Sequence, residues 1–182
     1  YGKPYAGVPA EVMDGIRNRL RTLQSDEPLV SVVVIAYNEE KHLPACLWSL
    51  SESVCEYPME IIGVNNDSAD RTADVFEASG IPYHTELQHS CGYARRCGLQ
   101  YAQGKYYICI DSDTMYPPGY VQAMADALQR PGIVAVSSLW SYMPDEGHPW
   151  LGLKIYEFMR DTHLWMQSFK RPELSVRGLV FA

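Results

Sequence analysis

The chain reads as an α/β protein built on a mostly parallel sheet flanked by helices. Three observations lead there. Leu29–Ala36 (LVSVVVIA) is a continuous, largely β-branched run, the composition of a strand buried on both faces. From there to Leu139, short apolar runs alternate with segments of helical period, the pattern of strands joined by crossover helices. Clusters of Asn, Asp and Ser stand directly after three of the strands, where open parallel sheets bind their ligands.

The elements follow in order. Residues 1–28 read as an N-terminal helical arm, with Val12, Ile16, Leu20 and Leu23 at helical spacing and Arg17, Arg19 and Arg21 between them. That pattern suits a helix packed on its own domain, with a membrane-surface or docking role as the alternative. A helix is predicted over Lys41–Ser53, then a strand over Met59–Val64. Asp67 or Ser68 is the expected cap of a helix running to Ser79. A short strand near Tyr83 precedes a helix over Cys91–Ala102, which Gly104 should stop. Tyr106–Ile110 reads as the fourth strand. Pro117 and Pro118 open a further helix, and Ile133–Leu139 is expected as a fifth strand.

Composition narrows the classes. The 182 residues are 47% apolar and 20% charged, so a substantial core is expected. The net charge of -7 argues against a nucleic-acid partner, whose phosphates demand a basic surface. An acidic protein can still hold a phosphorylated ligand when a cation or backbone dipoles supply positive charge. No apolar run reaches the roughly 20 residues of a membrane span. The cysteines at 46, 55, 91, 97 and 109 form no CxxC pair, which points to free thiols in a reducing, cytoplasmic setting. Peripheral contact at the cytoplasmic face of a membrane remains compatible with this.

The polar clusters are Ala36-Tyr37-Asn38-Glu39-Glu40, Asn65-Asn66-Asp67-Ser68-Ala69-Asp70 and Asp111-Ser112-Asp113. In the third, two carboxylates lie one residue apart just past a buried strand. Their repulsion is relieved by a cation, and such oxygen ligands suit magnesium or manganese. The competing reading is a pair of loop aspartates capping the next helix, and these residues alone do not separate the two.

Four motifs in sequence carry a resemblance. Val32–Glu40 resembles the opening strand and nucleotide loop of the family 2 glycosyltransferases, which have the GT-A fold. Val64–Thr72 is similar to their second, acidic motif. Gly92–Gly98 with Ala102–Tyr106 resembles the helix before their metal motif, and Asp111-Ser112-Asp113 matches their DxD. The resemblance implies a Rossmann-like nucleotide-binding half over residues 29–139, a nucleoside diphosphate-sugar donor (UDP-linked first), Mn2+ or Mg2+ as cofactor, and inverting transfer to a hydroxyl on a glycan, lipid or polymer acceptor. It also implies roles. Ile35 and Ala36 would present backbone groups to the base and Tyr37 would stack on it. Glu39 and Asn66 would hydrogen-bond the nucleoside, with Arg95 at the base or a phosphate. Asp111 and Ser112 would lie along the nucleotide, Asp111 also supporting the metal that Asp113 ligates directly.

Two departures matter. Asn66 stands where the family commonly has an aspartate that accepts from uracil. On that ground alone, Asn66→Asp is expected to tighten uridine binding. The family's catalytic carboxylate follows the DxD at some distance, and Asp145, Glu146, Glu157 and Asp161 lie in no matching context. Arg177–Ala182 resembles the strand leading to that motif. Residues 140–182 are therefore expected to begin the acceptor side, with the base beyond Ala182. The large side chains from Trp140 to Lys170 read first as core, second as an acceptor groove or membrane-facing patch. His148 and His163 match no ligand position.

Two rivals remain at this stage. Ile110–Thr114 also resembles the DxDxT of haloacid-dehalogenase phosphoryl transfer, although that motif follows a first strand and here it follows the fourth. A non-catalytic sugar-nucleotide-binding scaffold is the other.

Overall fold

The computed structural model describes residues 2–144, 147–170 and 180–181, the last two for their backbone. After a 3-10 turn at Tyr5–Gly7, the elements run α1 (Ala10–Leu23), β1 (Val30–Ala36), α2 (Leu43–Ser51), β2 (Met59–Asn65), α3 (Thr72–Ser79) and β3 (Tyr83–Thr85). They continue with α4 (Cys91–Tyr101), β4 (Tyr106–Asp111), α5 (Tyr120–Leu128), β5 (Ala135–Val136), α6 (Trp150–Lys170) and β6 (Val180–Phe181). The described strands form one sheet in the order β3-β2-β1-β4-β6-β5. β1 is parallel to β2 and β4, and β2 is parallel to β3, whereas β6 runs antiparallel to β4 and β5.

Side chains alternate between the two faces of each strand, and this splits the core in two. Val30, Val32 and Val34 of β1, with Ile61 and Ile108, pack beneath α1, α2 and α5. Val33 and Ile35, with Ile62, Val64 and Cys109, pack beneath Ala94 and Cys97 of α4. Both faces of β1 and β2 are buried along their whole length, as a strand in the middle of an α/β sheet requires.

The first segment lies on this same core. Of the expected face, Ile16 and Leu20 are buried and Leu23 packs against the core; Val12 is exposed, and Met13 is buried instead. Gln24 bonds both ways to the backbone of Ile61, at 3.0 Å each. Arg17 Nε donates to the Ala78 carbonyl at 2.7 Å.

Three local expectations are corrected. The fifth strand spans only Ala135–Val136 rather than Ile133–Leu139, and pairs antiparallel with β6. α3 begins at Thr72, not beside Asp67 or Ser68. Asp67 is in the left-handed region at φ 54°, and Asp70 Oδ1 accepts the Thr72 N–H at 2.9 Å, taking the place of a side-chain cap. Gly104 does not stop α4 through a left-handed conformation; the helix ends at Tyr101, where the Ala102 N–H reaches the Gly98 carbonyl.

Gly104 answers a different need. Its N–H donates to Ser31 Oγ at 2.8 Å, and Glu60, buried on β2, accepts from Ser31 and from the Gln103 N–H. A Cβ at position 104 would sit 2.7 Å from the Ser31 nitrogen and 2.8 Å from the Val30 carbonyl carbon. Backbone cannot yield as a flexible side chain can. Gly104→Ala should therefore lower stability by about 1–3 kcal/mol, and denaturant unfolding of the two proteins measures it.

The aromatic segment is the largest correction. Leu151, Ile155, Phe158, Met159, Trp165, Met166 and Phe169 of α6 are all exposed, whereas Glu157 and Leu164 are buried. At 100° per residue these seven occupy one arc with Leu164 on the opposite side, while Trp150 and Tyr156, also exposed, lie off that arc. The helix thus turns its apolar arc away from the described core.

Candidate functional site

The register explains why the predicted residues meet. Ala36 is opposite Asn65, and Ile35 is opposite both Val64 and Asp111. The loops after β1, β2 and β4 therefore leave the same edge of the sheet, side by side.

The first two loops are stitched together by side chains. Asn38 takes a left-handed φ of 55°, a conformation Asn tolerates better than most residues. Its N–H donates to Ser68 Oγ at 2.9 Å, and its Oδ1 accepts the Ala69 N–H at 2.8 Å. The Glu39 N–H donates to Thr72 Oγ1 at 2.8 Å, and the Glu40 N–H to Asp70 Oδ2 at 3.0 Å. Asp70 also accepts from the Thr72 hydroxyl. The turn carrying Tyr37 and Glu39 is thereby shaped by residues thirty positions away. Tyr37 is half exposed, so a ring face is open to a planar ligand. Glu39 Oε2 lies 2.7 Å from His42 Nδ1.

Asn66 is 4% exposed and fully engaged on its amide hydrogens. Nδ2 donates to the carbonyls of Glu86 (2.9 Å) and Gln88 (2.7 Å), while Oδ1 accepts the Ser90 N–H at 3.0 Å. The network admits one amide orientation, because a flipped group would aim N–H donors at the Ser90 N–H. Ser90 in turn caps α4, its Oγ accepting the Gly92 N–H.

The third loop carries the two carboxylates. Asp111 ends β4, and its carbonyl accepts from the Tyr116 hydroxyl at 3.0 Å, with Cys46 Sγ 3.9 Å away. Burial holds the Tyr116 phenol well above its ordinary range, so it remains a donor. Burial, then the carboxylates of Asp113, Asp111 and Glu39, raise the Cys46 thiol far above normal. Asp111 Oδ1 lies 3.3 Å from Arg95 Nη2, Ser112 is buried, and Asp113 Oδ1 accepts from Thr114 Oγ1 at 3.2 Å.

These loops enclose a cleft of about 340 Å³. Ile35, Ala36, Tyr37, Glu39 and Asn66 line it from the first two loops, and Asp111, Ser112 and Asp113 from the third. Arg95 does not line it but reaches it through Asp111. The fourth wall is His89, Ser90, Cys91 and Ala94, which the sequence reading missed. A signal existed: the loop after β3 leaves the same sheet edge, and Ser90 is a recognisable helix cap.

Residues 31–178 match the family model described as glycosyl transferase family 2. The chain belongs to that family. It is 26% identical over 167 residues to validoxylamine A glucosyltransferase of Streptomyces hygroscopicus subsp. limoneus, covering 83% of this chain and 37% of that protein. It is 28% identical over 163 residues to the glycosyltransferase GlyA of Streptococcus pneumoniae, covering 84% of this chain and 23% of that one. The chain thus spans well under half the length of these relatives. Among solved structures, glucosyl-3-phosphoglycerate synthase of Mycobacterium tuberculosis in complex with UDP superposes with a TM-score of 0.62 at 21% identity, over 90% of this chain and 59% of that one. The Pyrobaculum calidifontis mannosyltransferase PcManGT, in complex with GDP-Man and Mn2+, gives 0.55 at 20%, over 70% and 44%. These likenesses place the fold, a parallel four-stranded sheet flanked by helices, with the GT-A glycosyltransferases.

Family membership sets aside the haloacid-dehalogenase reading of Asp111–Thr114. The two carboxylates on α6 are engaged elsewhere. Glu157 accepts from Lys154 Nζ (2.6 Å) and the Tyr142 N–H (2.7 Å), and these bonds hold its carboxyl below the usual range. Asp161 is paired with Arg160 at 2.7 Å. Asp145 and Glu146 lie outside the described residues, as do Arg177, Gly178, Leu179 and Ala182 of the expected tail strand. Among the described residues no helix is long and apolar enough to cross a membrane.

Proposed function

We propose that this chain carries the donor site of a glycosyltransferase that moves a sugar from a nucleoside diphosphate, with uridine as the leading base, to an acceptor hydroxyl. The observation that carries this reading is the convergence of Tyr37, Asn66 and the Asp111/Asp113 pair on one cleft at the carboxyl edge of a parallel sheet. An aromatic ring and paired carboxylates, on loops held by the buried Asn66 amide, suit the base and the diphosphate of such a ligand.

A divalent cation fits this donor set. Asp111 and Asp113 are hard oxygen donors one residue apart, and both line the cleft. That is the arrangement expected of Mg2+ or Mn2+ held by one or two carboxylates and completed by substrate phosphates. When bound, the ion would offset the charge that grows on the leaving diphosphate.

The residues divide the remaining work. Tyr37 offers its face to the base, and Ile35 and Ala36 edge the cleft below it. Glu39, steadied by His42, is placed for the nucleoside. Asp113 is our direct ligand and Asp111 its support, with Arg95 holding Asp111 in place. The acceptor hydroxyl would attack the anomeric carbon as the bond to the diphosphate breaks, inverting that centre. We assign the proton-accepting base to none of the described residues.

Calorimetric titration with uridine and guanosine diphosphates, each with and without Mn2+, tests the reading. The uridine compound should bind at least as tightly as the guanosine one, and Mn2+ should strengthen both. At a hundred times its dissociation constant the ligand should add about 2.7 kcal/mol of stability, visible as a raised melting temperature. Absence of binding under every condition would overturn the donor-site reading.

A further inference from the structure

We propose that His89 is a nucleobase-contacting residue, forming with Tyr37 an aromatic corner for the donor's base, and that Asn66 positions it rather than reading the base itself. The inference rests on the donor-site reading above and assigns its base-recognising wall.

The argument begins with what flanks His89. Its neighbours in the chain, Gln88 and Ser90, are both held by the buried amide of Asn66, through the Gln88 carbonyl and the Ser90 N–H. The backbone of His89 is therefore pinned on either side by one side chain. Its ring has two neighbours that restrain it: Nε2 lies 3.1 Å from Asp67 Oδ2, and the ring stands edge-on to Tyr37, with centroids 5.2 Å apart and planes 80° apart. Asp67 follows Asn66 directly, in its left-handed conformation. Consecutive residues thus hold the backbone from inside and the imidazole from outside.

The position of the ring gives this fixation a use. His89 and Tyr37 line the same cleft as Asp111 and Asp113. With the carboxylates taking the diphosphate end, the perpendicular rings remain for the planar end of the ligand. Two rings at right angles can offer a base one stacking face and one edge contact, and Nδ1 is the polar atom of His89 not aimed at Asp67. A ring already held in place loses little freedom when a ligand arrives. Asn66 is 4% exposed, both its amide hydrogens are spent on Glu86 and Gln88, and its Oδ1 already accepts from the Ser90 N–H, so the whole amide serves the 86–90 segment.

The test separates the two ends of the ligand. Affinities for uridine diphosphate and for inorganic pyrophosphate, each with Mn2+, are measured for wild type and His89→Ala. His89 is half exposed, so the variant should fold and melt as wild type does. Loss of one base–ring contact should weaken uridine diphosphate roughly 5- to 20-fold and leave pyrophosphate unchanged. In Asn66→Asp the same base-specific loss should appear, and adding His89→Ala to it should cost less than His89→Ala alone, because the first change has already displaced the ring. An unchanged uridine diphosphate affinity in His89→Ala would overturn the assignment, as would equal weakening of both ligands. Fully additive losses would overturn the positioning role of Asn66. Failure of wild type to bind uridine diphosphate at all is a different result, and it refutes the donor site as a whole.

Discussion

Asn66→Asp should lower the stability of this protein by about 2–4 kcal/mol and weaken its binding of uridine diphosphate. The motif alone suggests the opposite, because an aspartate would restore a charged acceptor. The hydrogen bonds reverse the sign. Nδ2 donates to two carbonyls, Glu86 and Gln88; a carboxylate has no hydrogen for either and would set its charge against both. The side chain is buried, so water cannot readily step in. Only the bond from the Ser90 N–H survives. Segment 86–90 should then move away from the cleft and take His89 with it. Urea unfolding gives the stability change and calorimetry the affinity. A variant as stable as wild type that binds uridine diphosphate more tightly would show that Asn66 faces the base after all.

That reversal marks where sequence reading stops. β1, β2 and β4 were legible because a strand buried on both faces must be apolar along its length, and Val30–Ala36 and Tyr106–Ile110 are. The convergence of their loops was legible too, since parallel strands share a carboxyl edge. The partners of Asn66 were not. They are backbone carbonyls twenty and more residues downstream, and a carbonyl leaves no trace in the identity of its residue. His89 was missed for a related reason: β3 is three residues long, too short for its loop to stand out as a fourth cluster at the edge.

The far side of the sheet shows a second limit. β5 and β6 contribute two residues each, and such short pairings depend on a long-range return of the chain rather than on any local period. In α6 the aromatic side chains have helical spacing, but spacing does not say which face meets the core. Glu157, held by Lys154 and the Tyr142 backbone, and Leu164 are buried, and the Trp, Phe and Met arc turns out. Gly104 was read as a helix stop, whereas its need for glycine comes from the nearby backbone at Val30 and Ser31, which the sequence does not contain.

The carboxylate pair carries the central claim. Asp113→Asn should leave folding within about 0.5 kcal/mol of wild type, as expected for an exposed site. Its amide oxygen can still accept from Thr114, and Asn caps a helix about as well as Asp. What the change removes is a full negative charge from the metal's expected position. The wider chain carries a net charge of -7, and Glu39 and Asp111 lie close by, so a diphosphate is repelled here unless a cation is held. The deciding measurement is uridine diphosphate affinity for wild type and Asp113→Asn, each with and without Mn2+, alongside their melting temperatures. We predict that Mn2+ strengthens binding to wild type, and that binding with Mn2+ falls on the order of 10- to 100-fold in the variant while the melting temperature holds. A capping role predicts little change in either property, and an undiminished Mn2+ dependence in the folded variant would contradict the metal assignment at Asp113.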